Sequence, residues 1–117
     1  MTSWLERHRA AIEAELDAGE QLRDAGRVIA IGRRKRPRGV PRRGFILAVT
    51  DRRIVALAAS TWLARPGAVV DAWSYEEGVK LAKATPRFLG RVRLVMPDRA
   101  VVTLAPYGLR SVSHLAH

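Results

Sequence analysis

The stretch GFILAVTDRRIVALA, residues 44–58, contains two apolar runs separated by a short polar interruption. The runs, residues 44–50 and 53–58, consist mainly of the aliphatic and β-branched residues that favour strands. Asp51 and Arg52 stand between them, and an Asp carboxylate commonly accepts hydrogen bonds from nearby backbone N–H groups in turns. The stretch therefore predicts a tight β-hairpin whose two strands are both well buried.

Similar short runs, separated by turn residues, continue on both sides of this hairpin. They predict further strands at residues 27–31, 68–74, 79–83, 90–96 and 100–104. The last two strands form a second hairpin across residues 97–99, and Trp73, which lies within an apolar run, is expected in the core. Because strands and helices do not alternate along the chain, about seven strands predict an antiparallel barrel or sandwich, a mainly β fold with flanking helices.

Helical patterns occur at the two ends of the chain. Ser3 and Glu6 have the spacing of a capping box, and apolar residues recur at helical spacing after it, which predicts a helix over about residues 4–18. Gly19 stands where a C-terminal glycine would end this helix. Residues 107–117 carry apolar residues at helical spacing and predict a short final helix.

Length and composition exclude several classes of protein. A chain of 117 residues with 48% hydrophobic and 27% charged residues predicts a single globular domain, with a helical segment 1–20, a β segment 21–106 and a final helix 107–117. At this length we do not expect a multidomain enzyme. Because the chain has no cysteine, it has no disulfide, no thiolate metal site and no cysteine nucleophile.

The positive charge is concentrated in one segment. The chain has a formal net charge of +10, and the segment 33–43 contributes seven basic residues and no acidic one. Its Pro, Gly and low apolar content predict a loop. We refer to this loop as the basic segment; its cations, which are the candidate anion-binding or lipid-binding residues, are Arg33, Arg34, Lys35, Arg36, Arg38, Arg42 and Arg43.

Three interpretations of the basic segment remain open. It is a solvated loop that serves only solubility, or it binds an anionic membrane surface, where each cation contributes on the order of 1 kcal/mol before screening. The third interpretation is nucleic acid, for which affinity falls steeply with salt. Nucleic acid is less favoured because Phe45 is the one aromatic residue near the segment and no recognition helix is predicted after it.

Three features of the sequence are Ala18-Gly19-Glu20, the stretch 47–57 with its Thr-Asp-Arg-Arg sequence, and Trp73. In these features the chain resembles the bacterial pleckstrin-homology-like domains, relatives of the PH and GRAM folds. The resemblance implies a seven-stranded, bent antiparallel β-barrel with a C-terminal helix that plugs one open end. The final helix predicted here is shorter than such domains usually carry. We expect either that the chain is truncated or that the N-terminal helix covers the barrel mouth instead. The basic segment does not reproduce the spacing of phosphoinositide-binding members, so no headgroup specificity is implied.

The sequence offers little support for catalysis, a metal or a cofactor. The three histidines are His8, expected to pack on the first helix, and the terminal pair His114 and His117, which lacks a third ligand nearby. Neither a nucleophile motif nor a phosphate-binding glycine motif is present. We therefore expect a non-enzymatic binding or scaffolding module without a cofactor.

Location and partners follow from the same patterns. The longest uncharged stretch, residues 54–64, is shorter than the roughly 18–20 residues that a membrane-spanning helix needs, and no secretory signal is recognised, so we expect a cytoplasmic protein. Trp62 and Leu63 lie in a predicted loop and are candidates for an exposed apolar contact. An alternative function is thus a protein–protein interaction domain that uses this loop or a sheet edge, while the oligomeric state stays open.

Overall fold

A computed structural model describes residues 4–31, 44–59, 66–83 and 91–106. Its elements, in chain order, are α1 (Trp4–Glu13), β1 (Leu22–Ile31), β2 (Phe45–Thr50), β3 (Arg53–Ala59), β4 (Pro66–Ser74), a 3₁₀ turn (Tyr75–Glu77), β5 (Lys80–Lys83), β6 (Val92–Val95) and β7 (Val101–Pro106). The final helix predicted over residues 107–117 lies outside the described residues.

The seven strands form one antiparallel sheet in the order β4-β3-β2-β1-β7-β6-β5. The predicted central hairpin is confirmed, since β2 pairs with β3 from Phe45 opposite Ala58 to Val49 opposite Ile54. The second predicted hairpin, β6–β7, is confirmed as well, with Val95 opposite Val101. The expectation of a mainly β, antiparallel fold with an N-terminal helix is therefore confirmed.

The predicted barrel is wrong, because the hydrogen-bonded sheet of the described residues is not closed. Among the residues that the structure describes, β4 and β5 are the two edges of the sheet and do not pair with each other. Ser74 caps the 3₁₀ turn and Gly78, with φ 105°, ends it, so the chain leaves the β3–β4 ladder before β5 begins. The first two residues of β5 then line a pocket together with Val49 and Ile54. The sheet thus folds back and brings β5 near β2 and β3 without closing the ladder.

Two apolar layers, one on each face of the sheet, form the core. We call the layer beneath α1 the outer layer and the layer on the other face the inner layer. Strand β2 contributes to both: Phe45, Leu47 and Val49 belong to the inner layer, and Ile46 and Ala48 belong to the outer layer. A strand that is buried on both faces reads as a continuous apolar run, which explains the sequence of residues 44–50. Trp73 is 7% exposed and belongs to the inner layer, as predicted.

The first helix is shorter than the predicted range 4–18, because it ends at Glu13. The next two backbone hydrogen bonds, from Glu15 to Ile12 and from Leu16 to Glu13, span three residues and tighten the chain. The last turn of α1 contains no basic residue, and an acidic side chain there is unfavourable beside the negative end of the helix dipole. The apolar spacing therefore continues beyond the point where the helix is stable.

Replacing Ile12 by Ala tests the packing of α1 on the outer layer. Ile12 is 0% exposed and lies among outer-layer residues, so the substitution removes buried methyl groups and leaves a cavity. We expect the free energy of unfolding to fall by about 2–4 kcal/mol in urea denaturation. The exposed neighbour Glu15, replaced by Ala, serves as the control and is expected to change stability by no more than about 0.5 kcal/mol. Equal effects of the two substitutions would contradict this packing.

Candidate functional site

The candidate binding residues predicted from the sequence lie outside the described residues. They are the cations of the basic segment and the apolar pair: Arg33, Arg34, Lys35, Arg36, Arg38, Arg42, Arg43, Trp62 and Leu63. The structure does describe the strands that precede and follow them. The ends of those strands show where each candidate segment joins the sheet.

The strand ends that flank both candidate segments lie at one end of the sheet. Phe45, the first residue of β2, pairs with Val28 of β1 and with Ala58 of β3. Ala59, the last residue of β3, pairs with Pro66, the first residue of β4. The connections β1–β2 and β3–β4 therefore both leave from this end, which we call the open end.

Charge divides sharply between the described part of the chain and the rest. All 11 acidic residues and 11 of the 21 basic residues lie in the described ranges, so the described part has no net charge. The whole excess of +10 belongs to the other segments, and seven of these charges belong to residues 33–43.

A part-buried ion pair joins the start of β1 to the hairpin at the opposite end of the sheet, which we call the hairpin end. The Glu20 side chain is 0% exposed, and its Oε2 and Oε1 accept hydrogen bonds from Arg53 Nε at 2.8 Å and Nη2 at 2.9 Å. Each carboxylate oxygen has a second donor: the Thr50 hydroxyl at 2.7 Å and the Asp17 backbone N–H at 3.0 Å. A buried carboxylate is tolerated when its oxygens are satisfied in this way.

Gly19 sets the position of Glu20 in this network. The Glu20 backbone N–H donates to the Asp17 carbonyl, which closes a turn through residues 18 and 19. Gly19 has φ 79° in this turn, a conformation that side chains with a Cβ rarely adopt. The glycine that the sequence marked as a helix end therefore serves the turn that aims Glu20 at the hairpin.

The rest of the Thr-Asp-Arg-Arg sequence also has structural partners. The Thr50 Oγ1 accepts hydrogen bonds from the backbone N–H groups of Arg52 and Arg53, so it fixes the hairpin turn. The Asp51 carboxylate accepts from the Gln21 backbone N–H at 2.9 Å, while the Asp51 N–H donates to the Gln21 carbonyl. The sequence predicted that Asp51 would bond a backbone N–H, but the donor lies on a distant segment and not in its own turn.

The pKa values at the hairpin end follow from burial and from these contacts. Burial alone would raise the pKa of Glu20, but hydrogen bonds from Arg53, Thr50 and the Asp17 backbone lower it from 4.5 to about 2. The same pair raises the pKa of Arg53, chiefly through the hydrogen bond to Glu20. Burial raises the pKa of Tyr75, and the nearby charge of Arg23 opposes this effect. Both members of the pair are therefore ionised at neutral pH.

A pocket of about 360 Å³ opens beside this network. The Tyr75 hydroxyl donates to the Thr50 carbonyl at 2.9 Å, which fixes one wall of the pocket. The pocket is lined by Arg23, Val49, Thr50, Asp51, Ile54, Tyr75, Lys80 and Leu81. Sequence reasoning singled out neither Arg23 nor Lys80, since no local pattern marks them.

Replacing Glu20 by Gln is expected to destabilise the fold. The change removes a charge that Arg53 needs, because the Arg53 side chain is only 21% exposed. We expect a loss of about 2–4 kcal/mol in urea denaturation. The matched control is Glu13 replaced by Gln, which breaks the exposed pair with Arg9 and is expected to cost no more than about 0.5 kcal/mol. A Glu20 variant as stable as this control would contradict the assignment.

The same pair predicts a pH dependence of stability. Because the pKa of Glu20 in the folded chain is about 2 and its ordinary value is 4.5, the stabilisation is complete above about pH 5 and is lost as the pH falls toward 2. We expect the difference in unfolding free energy between the original chain and its Glu20→Gln variant to shrink steadily over this interval. Denaturant titrations at pH 6, 4 and 3 measure it. A constant difference would show that the Glu20 carboxylate does not carry the effect.

Within the described ranges no helix is long and apolar enough to span a membrane, and no group of three His, Asp or Glu side chains is arranged to hold a metal ion. A comparison of the chain with protein-family models, curated proteins and solved structures finds no match in any of the three.

Proposed function

We propose that this chain is a non-enzymatic, PH-like binding module that associates peripherally with an anionic lipid surface through the basic segment. One observation carries the proposal: seven cations and no carboxylate stand in residues 33–43, whereas the described part of the chain is neutral. A partner with a negative surface would therefore meet its strongest attraction at this segment.

Chain connectivity limits the distance between these charges and the open end. Thirteen residues, 32–44, separate Ile31 from Phe45, and the two flanking strands are neighbours in the sheet. At about 3.5 Å per residue, such a connection reaches no farther than roughly 25 Å from the strand ends. Seven cations at about 1 kcal/mol each then add up to several kcal/mol before screening, enough for salt-sensitive surface binding.

The strand order supports the PH-like part of the proposal. The first four strands form consecutive antiparallel pairs, the last three do the same, and β1 joins the two groups by pairing with β7. This arrangement provides the seven antiparallel strands that the resemblance implies. The finer features, namely the PH-like identity of the sheet and a helix over residues 107–117, belong to the proposal.

The hairpin end supports the non-enzymatic part. Among the charged side chains there, Glu20 and Arg53 are engaged with each other, and the Asp51 carboxylate accepts a backbone N–H. Their hydrogen bonds serve the turn and leave neither carboxylate placed as a general base for a substrate.

Protein binding is the second candidate, favoured by the exposed edge strand β4. Val69 is 37% exposed and Val70 is 50% exposed on this strand, which has no neighbour on its outer side among the described residues. An open edge with exposed apolar residues can accept an added strand from a partner. Trp62 and Leu63, on the connection that leads into β4, belong to this alternative surface.

Vesicle sedimentation tests the lipid proposal. Phosphatidylcholine vesicles with and without phosphatidylserine are compared at low and high salt. We expect binding only to the anionic vesicles, and we expect the triple variant Arg33→Ser, Arg34→Ser, Arg36→Ser to weaken it at least about tenfold, because each cation contributes on the order of 1 kcal/mol. Unfolding midpoints should stay unchanged, since the basic segment has almost no apolar content with which to stabilise a core.

A triple variant that removes the same charge from the described part is the matched control. Arg7, Arg91 and Arg93 replaced by Ser should retain most of the binding. Equal losses in both variants, or equal binding to neutral vesicles, would overturn the proposal. Tighter binding to a duplex oligonucleotide than to anionic vesicles would favour nucleic acid instead. A partner that resists high salt and is lost on replacing Val70 by Lys or Trp62 by Ala would favour protein binding.

A further inference from the structure

The pocket at the hairpin end contains a cation placed there by an irregularity of β1. In the β1–β2 register, Leu22 pairs with Thr50 and Asp24 pairs with Val49, so Arg23 is an extra residue in a β-bulge. Bulges redirect the side chains of the bulged strand.

The bulge changes the face of the sheet on which Arg23 lies. Leu22 and Ala25 both belong to the outer layer beneath α1, although regular alternation would place them on opposite faces. The extra residue resolves this conflict: Leu22 keeps its contact with the outer layer, and Arg23 lines the pocket together with the inner-layer residues Val49 and Ile54. The bulge thus accompanies the placement of Arg23 in the lining of the pocket.

The second cation comes from the other edge of the sheet. Lys80 begins β5 and lines the same pocket as Arg23, together with Leu81. Within the described part of the chain, neither Arg23 nor Lys80 forms an ion pair. Both charges are therefore available to a ligand.

The remaining lining completes an amphipathic site. Leu81 and Tyr75 provide apolar surface beside the buried side chains of Val49 and Ile54. Asp51 also lines the pocket, and its carboxylate accepts the Gln21 N–H. The lining residues therefore carry two cations against one carboxylate. A volume of about 360 Å³ lies in the range of pockets that bind small molecules.

We propose that this pocket binds a small amphipathic anion, namely a monocarboxylate with a short apolar tail. Arg23 and Lys80 hold the carboxylate, and the tail lies against Leu81 and Tyr75. This proposal uses residues other than those of the proposed lipid association, since the pocket lies at the hairpin end and the strands that flank the basic segment meet it at the open end.

Titration of the full chain followed by ¹H–¹⁵N NMR tests this site with four probes: octanoate, acetate, 1-octanol and octylammonium. We expect octanoate to shift the amide signals of Thr50, Asp51, Tyr75 and Lys80. Acetate should bind at least about tenfold more weakly because it lacks the apolar tail. Octanol should also bind more weakly, and octylammonium should produce no shifts at these residues.

The variants Arg23→Gln and Lys80→Gln are each expected to weaken octanoate binding about fivefold or more, since each loses a charge-assisted hydrogen bond. Arg93→Gln is the matched control, because Arg93 is exposed on β6 and does not line the pocket. The triple Ser variant of the basic segment should bind octanoate unchanged, which separates this proposal from lipid association. Equal affinity for octylammonium, shifts centred elsewhere, or full affinity in both Gln variants would overturn it.

Discussion

The part-buried pair of Glu20 and Arg53 is the constraint on which the hairpin end depends. It connects residues that are 33 positions apart, and its carboxylate is fully enclosed with all of its oxygens satisfied. Removing Arg53 leaves the enclosed Glu20 carboxylate without its counter-charge, and removing Glu20 leaves Arg53 with only partial access to water, so the pair specifies the position of the hairpin relative to β1. The turn at Gly19 and the hydroxyl of Thr50 are the local features that make this geometry possible.

From this pair the remaining contacts of the hairpin end follow in order. With Arg53 held by Glu20, Thr50 lies at the end of β2, where its hydroxyl fixes the turn and its carbonyl accepts the Tyr75 hydroxyl. Tyr75 in turn begins the 3₁₀ turn that carries the chain away from β4. The route of the chain to β5, and hence the pocket between β5 and the central strands, rests on the same cluster of hydrogen bonds.

The strands could be predicted from the sequence because their information is local. Residues 44–58 show two continuous apolar runs around a polar turn, and burial on both faces of β2 requires this pattern. The end of α1 was predicted wrongly because the apolar period continues past Glu13, whereas the helix end is decided by charge and by the turn that Glu20 needs. The open ladder was also missed, since pairing between distant edges is not encoded in a local pattern.

The two candidate sites also differ in whether a local sequence pattern marks them. The basic segment is visible in the sequence because its charges are consecutive, whereas Arg23 and Lys80 reach one pocket through a bulge and a folded sheet. A neutral scaffold also has a physical consequence for the segment. At physiological salt, charges are screened over about 8 Å, so a negative surface is attracted mainly by the nearest unbalanced cations. Because the described part contributes no net charge, both proposed interactions depend on small groups of cations and not on the overall field of the protein.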